Sequence, residues 1–90
     1  MSRPYLEVTY RAGKALAAYL YLDRRAGDRA ARTVPASAGL LIDHAPDGRA
    51  IGIEITSPST VTADALNAAL ASASHPPATP ADLAPLKLAS

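Results

Sequence analysis

Apolar and polar positions alternate along most of the first 56 residues, and the period of two predicts strands. In Tyr5–Tyr10, Leu6, Val8 and Tyr10 point one way, and Tyr5, Glu7 and Thr9 the other. β-branched and aromatic residues support the strand 5–10. Arg11-Ala-Gly-Lys14 reads as a turn, with Gly13 free to take positive φ. Residues 15–22 suit a helix by their alanine and leucine content but a strand by their period and length. They are read as a strand with Leu16, Ala18, Leu20 and Leu22 on one face, opposite Ala15, Ala17, Tyr19 and Tyr21.

A polar connection around Gly27 leads to a third strand at 29–34, which Pro35 ends or confines to an edge. Two further strands, 39–44 and 50–56, flank Ala45-Pro-Asp-Gly-Arg49. A two-residue Asp47-Gly48 loop would need a backbone donor at Pro46, which has none. A type I turn with Pro46 and Asp47 central and Gly48 left-handed keeps proline where it is favoured. The resulting register puts Leu41 and Asp43 with Ile51, Ile53 and Ile55, and sends Leu40 and Ile42 to the opposite face. Both faces of the sheet are then expected to carry apolar residues.

Beyond the break at Ser57-Pro58-Ser59, Thr62 can cap a helix over 63–73, with Asp64 in its first turn. Ser74-His75-Pro76-Pro77 stops it. Thr79-Pro-Ala-Asp82 resembles a small capping motif, followed by a helical turn before Pro85. The expected architecture is α+β: an antiparallel β-meander of five strands with one C-terminal helix. The domain spans 1–75, with a Pro-rich tail over 76–90.

Composition narrows the rest. Ninety residues suit one small core, and such chains are commonly stapled by disulfides, metals or oligomerisation. Cysteine is absent, which removes disulfides and thiolate metal sites, and His44 and His75 lie far apart in sequence, so oligomerisation or a partner is the staple left. The net charge of +1 gives no bulk signal for nucleic acid or membrane. The longest apolar run, Ala15–Leu22, is far short of the roughly 20 residues that span a bilayer. The start has no secretory pattern, so a cytoplasmic location is expected.

The stretch Gly39-Leu-Leu-Ile-Asp-His-Ala-Pro-Asp-Gly-Arg-Ala-Ile-Gly-Ile-Glu-Ile55, with Lys14–Leu22 before it, resembles the bacterial domain of unknown function family 2283 over about residues 5–56. Ala45-Pro46 departs from that family's usual acidic pair. The family has no established activity. Some similar small proteins are encoded beside toxin-like partners, so the resemblance implies a regulatory or antitoxin-like role.

Four constellations carry candidate chemistry. Arg24, Arg25, Arg29 and Arg32 could contact phosphates, but Asp23 and Asp28 lie among them and no aromatic residue interleaves. Asp43, His44, Asp47 and Glu54 gather at one hairpin and hold ligand-type atoms for a small enzyme or ligand-binding site. Asp43 and His44, as strand neighbours, point to opposite faces. Ser57, Ser59, Thr60 and Thr62 lack the Gly-x-Ser-x-Gly context of a nucleophile elbow and suit capping. Tyr19 and Tyr21, with Leu40 and Ile42, form the candidate interface. The leading expectation is a non-enzymatic interaction module, a homodimer that pairs with another small protein. Weak nucleic-acid binding comes next. No catalytic residue, metal or cofactor is expected.

Overall fold

The computed structural model describes residues 4–22, 26–37 and 39–89, the last three by their backbone alone. Strands β1 (Tyr5–Arg11) and β2 (Lys14–Tyr21) form a hairpin whose turn residues, Ala12 and Gly13, both have positive φ, +52° and +77°. That turn matches the twist of the strands it joins. The segment 15–22 is therefore strand, not helix. Its register slips once: Thr9 pairs Ala17 but Tyr10 pairs Ala15, leaving Leu16 as a bulged residue. Leu16 leaves the expected face with Ala18 and Leu20 and is half exposed.

Strand β3 (Arg32–Ser37) starts later than expected and runs through Pro35. It can do so because it is an edge strand, where a missing N–H costs no ladder bond. Strands β4 (Leu40–His44) and β5 (Ala50–Ile55) complete an antiparallel sheet of order β1-β2-β5-β4-β3. The chain thus makes a hairpin and a three-stranded meander, joined by β2 against β5, rather than five strands in sequence. Burial explains the order. Every residue of β3 is exposed, whereas Ile51, Ile53 and Ile55 of β5 are fully buried. The most apolar strand takes the centre and the most polar one an edge.

The Ala45–Arg49 turn forms as its residues dictate. Gly48 has φ +95°, its N–H donates to Ala45 O (2.9 Å), and Ala45 N–H donates to Arg49 O (2.8 Å). The register then departs from the expected one. His44 pairs Ala50, but Asp43 pairs Gly52, so Ile51 is the extra residue of a bulge. One residue of slip exchanges the faces of β4. Leu40 now pairs Ile55 and Ile42 pairs Ile53, and all four sit in the core.

Helix α1 (Ala63–Ser72) covers that face with Leu66, Ala69 and Leu70. Thr62 caps it, its Oγ1 accepting the Ala65 N–H at 3.0 Å. Its end is a Schellman turn: Ser74 is left-handed (φ +59°), and the N–H groups of Ser74 and His75 donate to Ala71 O and Leu70 O. The following segment is held down. Ala78 N–H donates to Asn67 Oδ1 (2.8 Å), and Thr79 and Asp82 exchange the two bonds of a capping box. Helix α2 (Ala84–Ala89) carries Pro85 in its first turn, where proline is tolerated, and lies against β1. Ala78, Leu83 and Leu86 join the core, so the Pro-rich segment is part of the layer that covers the sheet. Among the described residues, no helix is long and apolar enough to cross a membrane.

Candidate functional site

The helices cover one face of the sheet, and among the described residues no element packs on the other, the open face. Cross-strand pairing lays the open face out in two rows: Tyr5, Tyr21, Gly52, Asp43, Thr33, and beside it Glu7, Tyr19, Glu54, Leu41, Pro35. Tyrosines occupy the β1–β2 half, and carboxyl groups the middle.

Gly52 is the pivot. A side chain there would fall inside the phenol of Tyr19, so the absent Cβ lets that ring lie across β5. The Tyr19 hydroxyl then reaches the next strand and donates to Asp43 Oδ2 at 2.8 Å. From the other side the Thr33 hydroxyl donates to Asp43 Oδ1 at 2.6 Å. Two donors, one from β2 reaching across β5 and one from neighbouring β3, thus satisfy a carboxyl group that is only 6% exposed, as a buried polar group requires. Glu54 stands beside Asp43. Its carboxyl is held above the ordinary range, first by a hydrogen bond with Asp43, then by burial and by the neighbouring charge.

The rings are also ordered. Tyr19 and Tyr21 meet edge to face at 4.7 Å between centroids, and Tyr5 lies 5.8 Å from Tyr21. The Tyr21 hydroxyl donates to Glu7 Oε1 at 3.1 Å. The result is a ladder of aromatic and carboxyl groups across the sheet. No described buried side-chain polar atom lacks a partner.

Of the four candidate interface residues, Tyr19 and Tyr21 lie on this face. Leu40 and Ile42 do not: at 1% and 4% exposure they are under the helical layer, placed there by the bulge at Ile51. Arg24 and Arg25 lie outside the described residues. Arg29 and Arg32 are exposed, and Asp28, just before them, binds Arg49 at 2.8 Å.

The hairpin carboxylates and His44 separate. Asp43 and Glu54 belong to the open face, while His44 Nδ1 is 3.1 Å from Gly48 O. Asp47 accepts from Arg49 Nε at 2.7 Å and from its backbone N–H, which holds the Asp47 carboxyl below its ordinary value. Arg49 itself is held further into its charged form by Asp28 and Asp47. A cleft of about 580 Å³ opens between this turn and the end of α1, lined by Asp47, Arg49, Ser74 and His75. Among the described residues, no group of three His, Asp or Glu side chains could hold a metal ion.

Thr33 and Gly52 were not singled out from the sequence. Gly52 carried a signal, since a lone glycine inside an isoleucine strand marks close approach of another group. Thr33 carried none, because its role depends on which strand lies beside β4. No protein-family model matches the chain, and no curated protein or solved structure is significantly similar to it.

Proposed function

We propose that this chain is a non-enzymatic protein-interaction module that works as a homodimer and, as the resemblance to family 2283 implies, in a regulatory or antitoxin-like pairing with another small protein. The observation that carries the reading is where apolar surface remains uncovered. The exposed large apolar residues Tyr5, Tyr10, Leu16 and Val34 all belong to the sheet, on β1, β2 and β3. Among the described residues, none belongs to the helical layer. Three of the four, Tyr5, Tyr10 and Leu16, belong to the β1–β2 hairpin, while Val34 lies on the opposite edge. Exposed apolar groups concentrated on one hairpin mark a contact surface. The small size of the chain adds a thermodynamic motive, since association buries surface that one copy cannot.

The test is the solution mass by light scattering, from micromolar to millimolar chain at low and high salt. A salt-resistant species of twice the 9.3 kDa chain mass is the expected result. A monomer across the whole range overturns the reading.

A further inference from the structure

The two edges of the sheet differ in how they are guarded. An edge strand exposes unpaired N–H and C=O groups and invites another strand unless something blunts it. Edge β3 is blunted twice, by Pro35 in its middle and by an irregularity between Pro35 and Ser37. Edge β1 has neither device. It runs for seven residues without proline or lysine, and its one bulge falls on the β2 side, at Leu16. Among the described residues, no backbone hydrogen bond outside the β1–β2 ladder reaches β1. It also carries Tyr5 and Tyr10, the two most exposed large apolar groups on that edge, at 61% and 50%.

The order of side chains on β1 says what fits beside it. In an antiparallel pair, residues directly opposite share a face. A two-fold axis through Val8 sets Tyr5 opposite Arg11, Leu6 opposite Tyr10, and Glu7 opposite Thr9. Every residue of the strand then has a counterpart. Tyr5 receives a guanidinium over its ring. Glu7 lies diagonal to Arg11 of the partner subunit, twice in the dimer, and once across the axis to the partner's Glu7, so favourable diagonals outnumber the unfavourable one by two to one. Slipping the axis to Glu7 opposes two carboxylates. Slipping it to Thr9 sets Tyr5 and Leu6 against the turn at Gly13 and Ala12. The strand therefore matches itself in length, and its charge pairs are favourable on balance.

We propose that β1 pairs antiparallel with β1 of a second copy about a two-fold axis at Val8, so that one sheet runs through both subunits. This rests on the homodimeric reading above and names its contact. The open face would then continue across the axis and set the two tyrosine ladders side by side. Helix α2, which packs against β1 through the core shared by Leu6 and Leu86, would flank the junction from below.

The absence of cysteine makes the contact directly testable. Val8→Cys, Glu7→Cys and Thr9→Cys each introduce a single thiol, and circular dichroism verifies that each variant keeps its sheet. Under mild oxidation Val8→Cys is expected to give mostly covalent dimer, with the other two linking several-fold less. Glu7→Lys sets like charges on the diagonals and is expected to weaken dimerisation by about tenfold. Adding Arg11→Glu to it restores the opposite charges and is expected to restore the dimer. If a dimer persists unchanged in Glu7→Lys and no Val8→Cys linkage forms, β1 is not the contact, although the homodimer stands. Preferential linkage at Thr9→Cys overturns the Val8 axis. A wild-type chain that is monomeric throughout removes both this inference and the reading beneath it.

Discussion

The two faces of the sheet are held in different ways, although the same strands build both. On the covered face, Leu20, Ile53, Ile55, Leu66 and Leu70 share one buried apolar cluster. Order there comes from filled volume. On the open face, Tyr19 is a sequence neighbour of Leu20 but is fixed by a hydroxyl bonded to Asp43 and by ring contact with Tyr21. Order there comes from direction: donors aimed at acceptors across three strands. A face that is uncovered yet internally bonded keeps its shape before anything binds, which lowers the entropy lost on contact.

The comparison has measurable consequences. Leu20→Ala removes a fully buried side chain from the covered face and should cost about 3 kcal/mol in urea unfolding, a large share of a small domain's stability. A cost equal to that of an open-face change would erase the distinction. Gly52→Ala should displace the Tyr19 ring and cost about 2 kcal/mol, through overpacking and the lost Asp43 bond. Made in a Tyr19→Ala background, the same substitution should cost much less. Additive costs in that double-mutant cycle would show that the ring does not rest on Gly52.

Tyr19→Phe keeps the ring and removes only the donor to Asp43, for an expected loss of about 1 kcal/mol. The same change should leave the β1-mediated dimer intact, since it lies off that edge. The smallest effect is that of pH. The folded Glu54 carboxyl is raised above its ordinary value of 4.5, so the folded state favours its protonated form. The stability this contributes is present below the unfolded-state pKa and fades as pH rises through the raised folded value. Unfolding free energy measured across that window should therefore decline with pH. Glu54→Gln should flatten the slope, and an unchanged slope would place the titration elsewhere.

The element types could be read from the chain because each rests on local chemistry. Alternation made β1 and β2, Thr62 made the cap of α1, and Pro46-Asp47-Gly48 made its turn. The capping box at Thr79 and Asp82 was legible for the same reason. The face assignment of β4 was not. The turn was read correctly, yet a bulge at Ile51 reversed the outcome two residues away. Nothing in the local sequence favours that bulge over an unbroken ladder. It is favoured because it brings Leu40 and Ile42 beneath α1.

By itself, then, the sequence determined strands, helix, turns and an α+β class, since period, capping and proline geometry act over a few residues. Only the tertiary structure decided the strand order, the face of Leu40 and Ile42, and the meeting of Tyr19, Thr33 and Asp43 over Gly52. Those depend on which strands are neighbours, and that choice is made by burying the isoleucines of β5 at the centre and leaving polar β3 at the rim. The same choice left β1 as the edge without the proline that interrupts β3.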